Sequence, residues 1–159
     1  MTGVQTFALP ISEDGGQRAE DGGRKTTHTQ HMAQIISTFR DLQVYQLGFE
    51  LQQEIFRISK HFPADERYSL IDQIRRSSRS VGANIAEAWH KRAYMAHFVS
   101  KLTDADAEQA ETQHWLGTAL ACEYLSEQTH RELFENYLRV GQKLGSMIAA
   151  PEKFCRNNG

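Results

Sequence analysis

The chain has 159 residues, of which 40% are hydrophobic and 24% are charged, a length and composition typical of one globular domain with a hydrophobic core. No apolar run approaches the roughly 20 residues that a membrane-spanning helix needs, which excludes an integral membrane protein. The two cysteines are too few for a disulfide framework, and they indicate a reducing, cytoplasmic setting. The net charge of −2 argues against a protein that coats nucleic acid without specificity, although a local basic face is compatible with it.

The first 37 residues differ in composition from the rest of the chain. They hold five of the eleven glycines, Pro10 and a polar run over 26–31, so they bury too little apolar surface to offset the entropy of ordering them. The stretch 3–11 also resembles translated sequencing-adapter sequence, in which case the natural chain starts at Met32. We therefore predict a disordered or non-native extension over 1–37, a folded domain over 38–154 and a flexible tail over 155–159.

Four segments between Thr38 and Ala150 carry apolar residues at the three- and four-residue steps of a helix. The predicted helices are 39–61, 66–91, 94–124 and 129–149, with proline after the first and the last. Strand-like alternation is absent, so the sequence predicts an all-α fold, an antiparallel up-and-down four-helix bundle. No strong breaker lies between the second and third helices, so one continuous bent helix is an open alternative. The predicted core residues are Val44, Leu47, Leu51, Ile55, Ile58 and Phe62; Ile71, Ile74, Ser78, Val81, Ile85 and Trp89; Phe98, Leu102, Ala105, Gln109, Thr112, Leu116 and Ala119; and Leu133, Tyr137, Val140 and Leu144 with Met147 or Ile148.

Charge is unevenly distributed along these helices. Residues 66–101 hold seven basic and three acidic side chains, whereas 102–135 hold one basic and eight acidic ones. Away from its apolar stripe, the second helix mixes charged and small side chains, which suit close approach of another helix in a fixed register. This predicts a subunit interface between the basic helix of one protomer and an acidic helix of its neighbour, with a solvated helix face as the alternative. The predicted interface residues are Arg76, Arg79, Ser80, Ala83, Asn84 and Glu87.

Contact with phosphate is a second interpretation of the same positive charge. Arginine forks suit bidentate phosphate contacts, and each contact steepens the salt dependence of binding. Aromatic side chains do not interleave with the basic ones in the sequence, and the whole chain is slightly acidic, which argues against nucleic acid as the ligand. The basic cluster that would contact nucleic acid or a partner protein is Arg75, Arg76, Arg79, Lys91 and Arg92.

A metal-dependent bundle enzyme is a third interpretation, because Glu-x-x-His pairs that point inward hold the metals of di-iron bundles. Helical geometry argues against it: Glu111 and Glu87 lie well away from the apolar stripes of their helices, and Glu127 precedes the regular part of the fourth helix. A phosphate-binding glycine loop, a nucleophile elbow and a Cys-x-x-Cys motif are also absent. We expect no catalytic residue, no metal and no cofactor. The three pairs are Glu87/His90, Glu111/His114 and Glu127/His130.

Four further side chains receive structural interpretations. Cys122, at the flank of the third apolar stripe, is predicted to be a small core residue. Trp89 and Trp115 are predicted to be packing or interface anchors. Asn84 is a poor helix former, so we expect its side chain to hydrogen-bond across a helix contact.

The second helix contains the block QIRRSSRSVGANIAE at 73–87. This block resembles the signature of the bacterial four-helix-bundle family named for proteins encoded in intervening sequences of large-subunit ribosomal RNA. Supporting matches are FRDL at 39–42, FP at 62–63, ETQ at 111–113, YLS at 124–126 and PEKF at 151–154. The chain departs from the family pattern at Ala88, where glycine is usual, and at Gly82, where proline is common.

The resemblance implies a bundle that assembles into a ring-shaped homopentamer, and it favours the subunit interface over the solvated face. The family also includes accessory proteins of diversity-generating retroelements, which bind a reverse transcriptase and nucleic acid but are strongly basic, unlike this chain. We therefore expect a non-enzymatic oligomer that acts as a structural or adaptor module, with a retroelement accessory factor as the alternative and a di-metal enzyme as the second alternative.

Overall fold

A computed structural model describes residues 36–155, and the predictions made for 1–35 and 156–159 lie outside this range. The described chain forms four α-helices, α1 (Gln43–Ile58), α2 (Leu70–Lys91), α3 (Met95–Ala121) and α4 (Glu127–Ala149). Short 3-10 helices flank them at Phe39–Asp41, Ser59–His61, Ala64–Tyr68 and Pro151–Lys153. No strand occurs within 36–155, which confirms the all-α prediction. None of the helices in this range is long and apolar enough to cross a membrane.

The first helix begins later than predicted because a local cap precedes it. The Thr38 hydroxyl accepts a hydrogen bond from the backbone of Arg40, and the Asp41 carboxylate accepts one from the backbone of Thr38 at 2.8 Å. These bonds close a capping box around a 3-10 turn, so the α-helical hydrogen bonds start only at Gln43. They also lower the pKa of Asp41, the Thr38 backbone bond being the largest cause.

The remaining helix ends also differ from the predicted ones by a few residues. The stretch 64–68 is 3-10 rather than the first turn of α2. Three residues separate α2 from α3, and the Tyr94 backbone N–H bonds to the Lys91 carbonyl at 3.0 Å there; two helices form, not one bent helix. α4 starts two residues earlier than predicted because Ser126 caps it, accepting from the Thr129 backbone N–H at 3.1 Å.

The core matches the predicted stripes closely. Every predicted core residue of the second and third helices is buried, and the fourth uses Met147 while Ile148 is only half-buried. On α1, Leu47 and Ile58 are only half-buried but pack against the core, and the buried face also includes Gly48, which was not predicted. A β-carbon at Gly48 would lie 3.5 Å from Val81 Cγ1, so α1 and α2 approach closely there.

The four helices pack in a closed order of neighbours. α2 contacts α1 and α3, and α4 contacts α3 and α1. A buried hydrogen bond of 2.9 Å from the Thr112 hydroxyl to the Ser77 hydroxyl joins α2 and α3 inside the bundle. Because each helix buries two flanks against its neighbours, one face of each, including that of α2, is directed outward.

The hydroxyl of Tyr137 on α4 lies in the core without a hydrogen-bond partner within 36–155. Burial raises the pKa of this phenol well above its usual value. An unpaired buried hydroxyl costs about 1–3 kcal/mol, and removing it leaves the packed ring in place.

We therefore expect Tyr137→Phe to raise the free energy of unfolding by about 1 kcal/mol, measured by urea denaturation. Tyr124→Phe is the matched control, because the Tyr124 hydroxyl donates to Glu66 at 3.2 Å and its loss should destabilise the fold by about 0.5–1.5 kcal/mol. A larger loss for Tyr137→Phe than for Tyr124→Phe would contradict the prediction.

Candidate functional site on the outer face of α2

An open groove of about 610 Å³ runs along the outer face of the first half of α2 and the 3-10 helix before it. It brings together three of the five predicted basic residues, Arg75, Arg76 and Arg79, of which the last two are also predicted interface residues, with Ser80 and Ala83 of the predicted interface. We call it the arginine groove. Its lining residues are Arg67, Tyr68, Ile71, Asp72, Arg75, Arg76, Arg79, Ser80 and Ala83.

Three cations beside the groove surround the ring of Phe56 on α1. The Lys60 ammonium lies 4.5 Å from the ring centroid, and the guanidinium carbons of Arg75 and Arg79 lie 4.9 and 5.8 Å from it. The Arg75 Nε also donates to the buried Ser59 hydroxyl at 2.7 Å. Each contact with the ring contributes about 0.5–1 kcal/mol, but none of these cations forms an ion pair within 36–155. Their positive charge is therefore not neutralised inside the described chain.

Two predicted interface residues, Arg76 and Glu87, are instead paired with α3 of the same chain. Arg76 lies 2.5 Å from Glu111 Oε1, which also accepts from Trp115 Nε1 at 3.1 Å. Glu87 lies 2.9 Å from the Lys101 ammonium, and this hydrogen bond is the largest cause of the lowered pKa of Glu87. These two pairs fasten α2 to α3, so their charges are partly compensated before any other molecule binds.

The other predicted interface residues are distributed around α2. Arg79 and Ala83 are exposed, and Ser80 is half-buried with its hydroxyl bonded to the Arg76 carbonyl. Asn84 is half-buried, and its side chain makes no hydrogen bond within the described chain, so the bond predicted for it is not formed there. Arg79, Ser80 and Ala83 thus form the part of the predicted interface that is available to a second molecule.

The predicted basic cluster of five residues is wrong as a single patch. Lys91 follows Arg79 by twelve residues, which is about 18 Å along a helix that rises about 1.5 Å per residue. Arg92 lies with it at the far end of α2, where its guanidinium stacks 4.0 Å from the centroid of the Trp89 ring. The arginine groove and this end of α2 are therefore separate surfaces.

Aromatic residues do not interleave with the basic ones along the sequence, but the fold brings two of them to the same surface. Phe56 is placed between Lys60, Arg75 and Arg79 by the packing of α1 on α2, and Tyr68, with 86% of its surface exposed, lines the arginine groove. The contacts of Phe56 with Arg75 and Arg79 could not be found from a local sequence pattern, because Phe56 precedes these arginines by about twenty residues.

Of the cysteine and tryptophan predictions, one is wrong and two are confirmed. The prediction for Cys122 is wrong, because this residue is exposed at the C-terminal cap of α3. The helix ends at Ala121 and the chain then turns through Glu123 at φ 60°, so Cys122 does not continue the apolar stripe. Trp89 is buried in the core, and Trp115 packs against it while half-buried.

The three Glu-x-x-His pairs do not meet. Glu111 and Glu87 both face the contact between α2 and α3, and Glu127 is exposed at the start of α4. Across residues 36–155, no three His, Cys, Asp or Glu side chains lie close enough to hold a metal ion. On α3, the Oε2 atom of Glu108 is buried without a hydrogen-bond partner within 36–155. Burial, with a smaller contribution from Glu111, raises the pKa of Glu108.

The sequence model of a family described as 23S rRNA-intervening sequence protein matches residues 40–146. One solved structure similar to this chain is that of a protein of unknown function of the S23 ribosomal protein family from Bacteroides thetaiotaomicron. It is 28% identical, with a TM-score of 0.61 over 67% of this chain and 95% of that one. No curated protein matches the chain. The family match includes all of α1, α2 and α3 and therefore the arginine groove.

Proposed function

The chain belongs to the 23S rRNA-intervening sequence protein family, and we propose on that premise that it is a non-enzymatic, cytoplasmic module that assembles with copies of itself and serves as a structural or adaptor unit. The observation that carries this proposal is the outer face of α2. There, Arg75 and Arg79, which form no ion pair within 36–155, lie beside the small side chains of Ser80 and Ala83.

The proposed protomer is an antiparallel up-and-down bundle. Two ion pairs support this order, since Arg76 meets Glu111 whereas the later Glu87 meets the earlier Lys101. Positions that rise along α2 are thus matched with positions that fall along α3. Short connections between successive helices support the same topology.

The proposed interface joins the arginine groove of one protomer to an acidic helix of the next. Ser80 and Ala83 are small enough for a second helix to approach α2 closely, as at other close helix contacts. Residues 102–135 supply the opposite charge, with eight acidic side chains against one basic one, and four of these acidic residues on α4 and just before it are exposed. They are Glu123, Glu127, Glu132 and Glu135.

Five copies in a ring is the assembly that the resemblance to the family implies, and we propose it for this chain. Native mass spectrometry at micromolar concentration should show a species of five times the 18.1 kDa mass of one chain. A monomer under these conditions would contradict the proposed assembly and the adaptor role that depends on it.

A second candidate function is a retroelement accessory factor that binds a reverse transcriptase and nucleic acid. It is favoured by one observation: Arg67, Arg75 and Arg79, which form no ion pair in the described part of the chain, share one groove with the exposed Tyr68 ring. Arginines there would contact phosphates, and the tyrosine would offer a surface on which a base stacks.

If this candidate is correct, single-stranded RNA should be retained in filter binding at 50 mM salt and largely released at 200 mM, because each phosphate contact releases counterions. Arg67→Gln should weaken retention equally for unrelated sequences, since phosphate contacts carry no sequence information. Absence of retention at the lower salt concentration would rule this function out.

A further inference from the structure

We propose that Lys60, Arg75 and Arg79 form a binding site for a multivalent oxyanion of the phosphate type, at the junction of α1 and α2 beside Phe56. This inference goes beyond the proposed function, because a single chain holds the complete site. The ligand is a free phosphate or polyphosphate, distinct from the carboxylates of a second copy.

The first support for this site is convergence. Arg75 and Arg79 are one turn apart on α2, so their side chains are neighbours on the same face of that helix, and the packing of α1 places both of them and Lys60 within 6 Å of the centroid of one ring. Cations held this close repel one another. A multivalent anion between them would convert that repulsion into attraction.

The second support is the orientation of Arg75. Its Nε donates to the Ser59 hydroxyl, which is buried and in turn donates to the carbonyl of Phe56 at 3.2 Å. Because the Nε is occupied on the protein side, the two terminal nitrogens of the guanidinium remain for a ligand. Because the guanidinium is already held in place, the Arg75 side chain loses less conformational entropy when a ligand binds.

The third support is the lack of competing carboxylates. Asp72 is the acidic residue among those that line the arginine groove, and it forms no ion pair with the three cations. On α1, the nearby Glu54 is engaged by Arg57 at 2.8 Å. The charge of the site is therefore available to an added anion.

The chemistry of the three donors selects the ligand class. Guanidinium groups bind two oxygens of a phosphate side by side, and the lysine adds a mobile point charge. A phosphate or a diphosphate has enough oxygens to contact two or three of these groups at once, whereas chloride contacts one. We expect pyrophosphate to bind more tightly than inorganic phosphate.

The test is thermal unfolding of the full chain in pyrophosphate, compared with sodium chloride at equal ionic strength. We expect millimolar pyrophosphate to raise the melting temperature by about 3–6 °C, since a ligand that binds only the folded state stabilises it by mass action. Lys60→Gln and Arg79→Gln, both changes at exposed positions, should each lose at least half of this rise.

Arg57→Gln is the matched control, because Arg57 is an exposed arginine on α1, the helix that carries Phe56, and is already paired with Glu54. It should keep the full rise. Equal shifts in all variants would indicate adventitious surface binding and overturn the proposal, as would no shift in the unaltered chain. Native mass spectra of the same samples separate this result from the proposed assembly, because a monomer that binds pyrophosphate contradicts only the latter.

Discussion

Phe98→Ala is expected to lower the free energy of unfolding by about 3–5 kcal/mol. Phe98 lies on α3 with none of its surface exposed, and its ring stacks on Phe154 with the centroids 6.0 Å apart. Truncation removes the transfer free energy of the ring and leaves a cavity that the surrounding helices fill only in part. Since the whole fold is expected to be stable by only about 5–15 kcal/mol, the variant should unfold at a much lower urea concentration.

Phe49→Ala is the control for this prediction. Phe49 lies on α1 with 46% of its surface exposed and touches the Tyr45 ring at a centroid distance of 6.1 Å. Its truncation creates no enclosed cavity, so we expect a loss of about 1 kcal/mol or less. Similar losses for the two variants in equilibrium urea unfolding would show that the assigned core is wrong.

Arg79→Glu is expected to prevent assembly while leaving the protomer folded. The side chain is exposed and has no ion pair in the described chain, so the folded protomer should lose no more than about 1 kcal/mol, the size of the lost contact with the Phe56 ring. At the proposed interface a glutamate would face the acidic helix of the neighbour, and like charges in such a position cost several kcal/mol. We expect the dissociation constant to rise by a factor of about 100 or more.

Sedimentation velocity and native mass spectrometry measure the assembly, and circular dichroism checks the fold. Arg57→Glu is the matched control, because Arg57 is an exposed arginine on α1 outside the arginine groove, where it pairs with Glu54 at 2.8 Å; the assembly of this variant should be unchanged. An Arg79→Glu chain that still forms the same oligomer would remove α2 from the interface.

Arg76→Glu is a less informative probe of the same surface. Arg76 is paired with Glu111 on α3, so reversing its charge would also place two carboxylates together inside the protomer. A loss of assembly in that variant could come from the weakened contact between α2 and α3 or from the weakened contact between subunits, and the experiment would not separate the two.

The pattern of apolar residues was sufficient to predict the helices and the buried face of each. All seven predicted core residues of α3 are buried, including the polar Gln109 and Thr112. This succeeds because the hydrogen bonds that set 3.6 residues per turn are local, so spacing along the chain determines which positions share a face. Errors appear mainly at helix ends, where caps such as that of Thr38 decide the first bonded turn.

The contacts between helices could not be predicted in the same way. The cations around Phe56, the partner of Arg76 and the separation of Lys91 from the arginine groove all depend on how one helix is rotated and shifted against another. That placement results from the packing of side-chain ridges across a distance of about 8–10 Å, summed over many residues that are remote in sequence. Periodicity along one helix therefore specifies which side is hidden, and only the packed bundle specifies which charged groups meet and which remain unpaired on the outside.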